Sequence, residues 1–216
     1  MRLIMLGAPG TGKGTQGKLL SARYGIPNIS TGDILRSAVA QRSELGIQAQ
    51  SYMDRGELVP DNLMIRLIKE RLQQADCEGG FILDGFPRTI EQAAALDAEL
   101  QQQAKAIDWV LDLELETEKI VARLTNRRVC SQCGQDYNLL TNPPPADHRC
   151  AKCGGTVIQR SDDAPDTVRN RLKVYEEKTK PLKNYFQQQA KLLVVDAEGT
   201  VEQIQAKLRA IIEENR

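Results

Sequence analysis

The sequence predicts an α/β fold, a parallel sheet flanked by helices and carrying small insertions, and three observations lead there. First, an apolar run, Leu3 to Leu6, flows into the glycine-rich stretch GAPGTGKGT (Gly7–Thr15) and then into a helical pattern from Lys13. That is the strand–loop–helix order of a phosphate-cradling loop. Second, further strand-like runs, FILD, DWVLDLEL and KLLVVD, alternate with helical stretches along the chain. Such alternation builds a parallel sheet covered on both faces. Third, the alternation is broken once, over about 127–163, by four cysteines, three consecutive prolines and little helical periodicity.

Composition narrows the function classes. The chain has 216 residues, a formal net charge of zero and 4% aromatic residues. A basic excess for nucleic acid and stacking platforms for single strands are both missing. No apolar run approaches the roughly 20 residues of a membrane span. The N-terminal apolar run leads straight into the glycine loop, so it reads as a buried strand and not a secretion signal. A soluble cytoplasmic protein with no nucleic-acid or membrane partner is expected.

The elements follow in order. The first helix runs from Lys13 to Tyr24 and stops at Gly25 and Pro27. NISTGD (Asn28–Asp33) gives a short strand edge and a capping cluster, before Ile34, Leu35, Ala38 and Val39 at helical spacing. Asp61 or Asn62 is expected to cap a helix whose face is Leu63, Leu67, Ile68 and Leu72. FILDGFPR (Phe81–Arg88) is a strand ending in an acid and a glycine, with an alanine-rich helix over 90–103 behind it. Asp108–Leu115 is the next strand, and Ile120, Val121 and Leu124 mark a helix. A long helix is expected to start at Asp162–Asp166 and pass through Val168, Leu172 and Tyr175. Lys191–Asp196 is the last strand and Val201–Asn215 the last helix.

Chemistry gathers in four places. In the glycine loop, Gly7, Gly12 and Lys13 fit G-x-x-x-x-G-K-[ST], but Gly14 stands where a metal-binding hydroxyl is expected and Thr15 comes one position late. In LDGFPRT, Asp84 ends a buried strand where it can meet Mg²⁺ or its waters, and Arg88 can fork onto a phosphate. Arginines stand at both hinges of the cysteine-bearing segment, in RLTNRR and QRSDDAPDTVRNR. A closing lid would carry them over a phosphate. Finally, Cys130-x-x-Cys133 and Cys150-x-x-Cys153 fit a four-thiolate metal site, Zn²⁺ first, with iron suited to the same donors. Four protein ligands leave no open position, so the site is structural. His148 lies two residues before Cys150 and competes as a ligand only in principle, and Cys77 stands apart.

GAPGTGKGT, STGDILR (Ser30–Arg36), DGFPRT with Gln92, the pair Arg127–Arg128, and RSDD with Arg171 together resemble adenylate kinases, in order and over essentially the whole chain. The closest likeness is to the bacterial long-lid form with a four-cysteine metal site. The resemblance implies a P-loop nucleoside-monophosphate-kinase-like fold with two mobile insertions. The core would be 1–29, 60–126 and 164–216, the monophosphate-binding insertion 30–59 and the lid 127–163. It implies the reaction Mg·ATP + AMP ⇌ 2 ADP. Gly10, Thr11, Gly12, Lys13, Gly14 and Thr15 would cradle the ATP phosphates, and Arg127, Asp136, Tyr137 and Gly199 would meet its base and sugar. AMP would be bound by Thr31, Arg36, Gly85, Phe86, Pro87, Arg88 and Gln92, with Glu57, Leu58 and Val59 contributing mostly backbone. Lys13, Arg88, Arg123, Arg160 and Arg171 would surround the transferred group, the last two also touching AMP. Asp33 and Asp84 would orient the waters of Mg²⁺. In that family Gly14 is the usual residue.

Three other readings compete. A kinase for another monophosphate differs at the base, where Thr31 and Gln92 favour adenine by resemblance. A zinc-ribbon binding module would gather basic residues around the cysteines, yet Arg149 and Lys152 are balanced by Asp136 and Asp147. A nucleotide-binding switch without kinase activity would not need Arg88, Arg160 and Arg171 together.

Overall fold

In the computed structural model, which describes residues 1–215, the apolar runs become parallel neighbours. β1 (Arg2–Leu6) is central, between β3 (Phe81–Asp84) and β4 (Trp109–Glu114). The edge strands are β2 (Asn28–Ser30) beside β3 and β8 (Leu192–Asp196) beside β4. Side chains alternate along a strand, so a sheet covered twice needs apolar residues at consecutive positions. Ile4 and Leu83 pack on one face with helices α4 (Asp61–Leu72) and α5 (Ile90–Gln102), through residues such as Ile68 and Leu96. Leu3 and Ile82 pack on the other with α1 (Lys13–Tyr24) and α9 (Val201–Glu214), through Leu20 and Leu208.

The register aligns Met5 with Asp84 and Leu6 with Asp112. The chain leaves β1 toward β2 and β3 on one side and later crosses to β4 on the other, so the strand order reverses at the carboxyl end of β1. In open α/β sheets that crevice is where ligands bind.

Two expectations about helices need correction. Neither Asp61 nor Asn62 caps α4: its N-terminus at Pro60 has no side-chain cap. The Asn62 side chain instead accepts from the adjacent Leu63 N–H at 2.9 Å, and the Asp61 carboxylate turns to α5. The expected long helix is interrupted. α7 (Pro165–Val174) widens into a π-turn over Tyr175–Thr179, and α8 (Leu182–Gln188) restarts after Pro181. The interruption faces the site, because the Thr179 hydroxyl donates to the Arg88 carbonyl at 3.0 Å.

The remaining segments are small units set on this core. Residues 31–55 form two helices, α2 (Thr31–Ala40) and α3 (Glu44–Arg55). The cysteine-bearing segment forms a three-stranded antiparallel sheet of β5 (Arg127–Cys130), β6 (Asp136–Asn138) and β7 (Val157–Ile158), in the order β6-β5-β7. α6 (Thr117–Thr125) leads into it. Its buried apolar cluster is only Cys130, Tyr137, Cys150 and Val157.

One repetition emerges from the packing. QQQAK occurs at 101–105 and again at 187–191, each time closing a helix before one of the neighbouring strands β4 and β8. Both alanines are left-handed, Ala104 at φ 53° and Ala190 at φ 54°. The lysine N–H that follows each one bonds back to the helix, to Leu100 at 2.9 Å and to Phe186 at 3.0 Å.

Candidate active site

The glycine loop leaves β1 at the crevice. No side chain caps α1, whose N-cap is Gly12, and its first turn holds no acid. Its first N–H groups therefore face the crevice unpartnered by side chains, where the positive end of the helix dipole favours an anion. Lys13 folds back on the loop, its Nζ donating to the carbonyls of Gly7 at 2.8 Å and Ala8 at 2.7 Å. Burial lowers its pKa to about 8, and Arg88, Arg171 and Arg127 push the same way against the opposing charge of Asp84. The Thr11 hydroxyl braces the loop through the Ala8 carbonyl at 3.0 Å.

Space accounts for Gly14. A Cβ built there would stand 3.3 Å from Asp84 Oδ2. Where a serine or threonine hydroxyl would serve a metal in the general loop motif, this chain brings in a carboxylate from β3. Burial raises the Asp84 pKa, Lys13 and Arg88 draw it back, and nearby Asp33 raises it again. Asp33 is itself held below its ordinary value: burial opposes this, but the bond from Arg36 at 2.6 Å prevails. Two carboxylates thus stand close enough to sense each other beside the loop, a hard-oxygen pair that suits Mg²⁺ and its waters.

A cleft opens beside the loop between the core and residues 31–59. Thr31, Arg36, Gly85, Arg88 and Gln92 line it, together with Glu57, Leu58 and Val59. The Thr31 hydroxyl donates to Gly85 O at 2.9 Å, and Arg88 Nε donates to the same carbonyl at 2.8 Å, which fixes the guanidinium. The Glu57 side chain turns out to an exposed pair with Arg55, leaving its backbone toward the cleft. Phe86 is buried in the core beneath.

Across the cleft, acids hold the arginines. Arg127 forks onto Asp163 with bonds of 2.8 and 2.6 Å, and Asp163 is fully buried. Arg171 meets Asp162 at 3.0 Å and Asp163 at 3.3 Å. Arg36 reaches Asp162 at 3.8 Å, and Arg160 reaches Asp136 at 3.2 Å. In the sequence Asp162 and Asp163 stand out only as part of a motif and as a helix start. Their two adjacent acids before a proline were the available signal, but a cap gives the same pattern.

Two further expected site residues make contacts outside the cleft. Arg123 donates to Ala197 O at 3.2 Å, beyond β8, and is not among the charges that perturb Lys13. Tyr137 belongs to the cysteine cluster: its hydroxyl donates to Cys150 Sγ at 3.3 Å and accepts from Ala151 N–H at 2.9 Å.

That cluster passes a geometric test for a metal. The four Sγ atoms lie within 4.8 Å of one another, with Cys130–Cys153 at 3.5 Å and Cys133–Cys150 at 3.6 Å. A tetrahedral Zn–S distance of about 2.3 Å puts sulfurs about 3.8 Å apart. The two knuckles are built alike. Gly134 N–H donates to Cys130 O and Gly154 N–H to Cys150 O, with both glycines left-handed at φ 66° and 73°. The Tyr137 bond lowers the Cys150 pKa to about 6, whereas at Cys153 the Gly155 N–H is outweighed by the bonds to Cys133 and Cys130 and the thiol is raised to about 12, so the sulfurs as they stand share protons among themselves.

The family model for adenylate kinase matches residues 5–191. An adenylate kinase of Archaeoglobus fulgidus is 52% identical over 213 residues, 99% of this chain and 98% of the relative. One of Thermodesulfovibrio yellowstonii is 49% identical over 99% of both chains, and one of Methanosarcina acetivorans 50% identical over 98% of both. The chain belongs to the adenylate kinase family. It is therefore a phosphotransferase that carries out ATP:AMP phosphotransfer. For an adenylate kinase the layout is economical: the loop and Lys13 lie at the carboxyl end of β1, and the cleft lies against β3. No described helix is long and apolar enough to cross a membrane.

Proposed function

We propose that the glycine loop with Lys13 takes the ATP phosphates and that the Thr31–Gln92 cleft takes AMP. Phosphoryl transfer between them would run through Arg88, Arg160 and Arg171. The observation that carries this reading is the gathering of cations: Arg88, Arg171 and Arg127 all bear on a half-buried Lys13 whose Nζ is folded onto the Gly7 and Ala8 carbonyls. Like charges gathered this way are unfavourable alone and become favourable around a polyanion. The carboxylates of Asp136, Asp162 and Asp163 then stand where the arginines wait, and nucleotide phosphates would compete with them for the same forks.

AMP phosphate is already anionic at neutral pH, so no general base is required. The chain's task is to bring several negative charges together out of water. Arg88 is held by Gly85 and by Thr179 through its own carbonyl, which supports a positioning role on the transferred group. Mg²⁺ would be held through its waters by Asp33 and Asp84 and would neutralise phosphate charge. Arg123, at Ala197, fits the outer ATP side of the site better than the transferred group.

Residues 30–59 and 127–163 act in this reading as two moving pieces on the core formed by 1–29, 60–126 and 164–216. They already touch the core and each other here, through Arg36–Asp162 and through Thr167 and Asn170 bonding to the carbonyls of Asp54 and Arg55. Closure would exclude water, without which ATP would be hydrolysed. Cys130, Cys133, Cys150 and Cys153 would hold Zn²⁺ as a staple for the second piece. All five cysteines are free thiols, which suits a reducing cytoplasm, and the chain would act there as a monomer.

A coupled assay of ADP formed from ATP with each nucleoside monophosphate tests the reading. AMP should be preferred by a wide margin. Comparable kcat/KM for CMP or UMP would overturn it.

A further inference from the structure

Glutamine can usually present its amide either way round, and in this chain Gln92 cannot. Its Oε1 accepts the Arg88 backbone N–H at 2.8 Å, and its Nε2 donates to Asp61 Oδ1 at 2.7 Å. Gln92 is 2% exposed, so both bonds are formed away from water. Asp61 is anchored in turn. Its other oxygen accepts the Thr89 hydroxyl at 2.8 Å, and Thr89 caps α5 by accepting from Gln92 N–H at 3.2 Å. Asp61 is free for this because it does not cap its own helix.

A flipped amide would set Nε2 against the Arg88 N–H, donor facing donor. It would also set Oε1 against the Asp61 carboxylate, acceptor facing acceptor. Both buried bonds would be lost and both contacts would become repulsive. Held as it is, the amide keeps one free N–H at a fixed place and one free lone pair at another. A 6-aminopurine offers an acceptor at N1 and a donor at its amino group, whereas a 6-oxopurine offers a donor at N1 and an acceptor at O6. A glutamine free to turn satisfies either base. A locked one satisfies only one.

We propose that Asp61 is a specificity-determining residue, a positioning group that locks Gln92 and so makes the acceptor site reject 6-oxopurine monophosphates. The proposal rests on the reading above, in which this cleft takes the acceptor nucleotide with its base edge on Gln92. Asp61 touches no reacting atom. It reaches the base only through Gln92, while its second oxygen holds the Thr89 hydroxyl that caps α5, and it lies at the junction where residues 30–59 rejoin the core.

The test compares kcat/KM for AMP and IMP as acceptors, with ATP as donor, in the wild-type chain, Asp61→Ala and Asp61→Asn. Direct binding of AMP and IMP by calorimetry gives a second readout. Removing the carboxylate leaves only the Arg88 N–H to orient the amide, and Asp61→Asn adds a donor that welcomes the flipped one. Both variants should lower the AMP:IMP ratio about tenfold or more, the asparagine variant at least as far as the alanine one. A merely structural role would lower both activities together and leave the ratio unchanged, and that result overturns the proposal. If Asp61→Ala fails to fold, the near-isosteric asparagine variant decides alone. A wild-type chain that does not phosphorylate AMP would overturn the reading of the cleft and the lock with it. A wild type that prefers AMP, with variants that keep its preference, would overturn the lock alone.

Discussion

Lys13 is the residue whose surroundings have the clearest kinetic consequence. Its pKa is lowered to about 8, chiefly by burial, so the ammonium loses its proton as pH rises through about 8 in the free enzyme. Below that pH the loop carries its charge, and above it the charge is lost. Because kcat/KM reports the free enzyme and kcat the bound complex, kcat/KM for ATP should fall above about pH 8. Bound phosphates favour the ammonium, so kcat should hold to higher pH. A pH profile in which both fall together above about 10 would show that burial does not weaken Lys13. Arg88 makes a second case. Its Nε is tied to Gly85 O at 2.8 Å, which leaves the two terminal nitrogens as a fixed fork. Lysine cannot make both the anchor and the fork. Arg88→Lys should therefore lower kcat on the order of 10²-fold while ATP binding changes little. Steady-state kinetics with a raised AMP KM at full kcat would contradict this. Lys13, Asp84, Arg88 and Gln92 were legible as site candidates because their motifs have fixed spacing. Asp61 was not, since an acid before an apolar helical face reads as a cap whether or not it serves as one. The bond of the Tyr137 hydroxyl to Cys150 was not legible either, since nothing in its neighbours tells which way a strand residue of the small sheet turns.

At the level of elements, strands are legible in the sequence and helix ends less so. Runs such as Leu3–Leu6 are apolar on both faces, and only a doubly covered sheet explains that. The break at Tyr175–Thr179 was hidden because Val168, Leu172 and Tyr175 keep helical spacing up to it, and a π-turn adds a residue without changing residue type. The paired QQQAK closures carry a measurable cost. An L-residue in the left-handed region is disfavoured by about 1–2 kcal/mol, and glycine, which avoids this, gives back part of the gain through its freer unfolded chain. With Ala104 at φ 53° and Ala190 at φ 54°, Ala104→Gly and Ala190→Gly should each stabilise the chain by about 0.5–1 kcal/mol. For a chain of this size that raises Tm by about 1–4 °C per substitution. Lys105 and Lys191 already bond back across the turn, so the closures themselves should survive. Thermal unfolding of the single and double variants checks this, and a fall in Tm would show that the alanine side chains contribute packing that outweighs their strain.

Across the whole molecule, stability and chemistry are held by different parts. The core packs an apolar cluster on each face of its sheet, while the apolar cluster of the segment 127–163, among the described residues, is Cys130, Tyr137, Cys150 and Val157. Two of those four are cysteines of the thiol cluster, so without a metal the small sheet loses the centre around which its knuckles turn. Such a unit needs a staple. In small peptides structural Zn²⁺ supplies roughly 10–16 kcal/mol of apparent binding free energy at neutral pH, much of it expressed as folding. Lys13 and Gln92 lie outside this sheet, on α1 and α5, and Arg88 lies in the loop between β3 and α5. Arg127 and Arg160 stand at its hinges, tied to Asp163 and Asp136. Metal loss should therefore loosen the small sheet before it dismantles the site. The double variant Cys130→Ser, Cys133→Ser should lose its stoichiometric metal by elemental analysis and lower Tm by several degrees. It should still form ADP from ATP and AMP at low temperature, with its activity failing on warming well before that of the parent chain. A variant as heat-stable as the parent yet inactive in the cold would give the metal a part in the chemistry itself. Intact purified protein without bound metal would remove the staple from the account and leave the Tyr137–Cys150 contact as the main organiser of the small sheet.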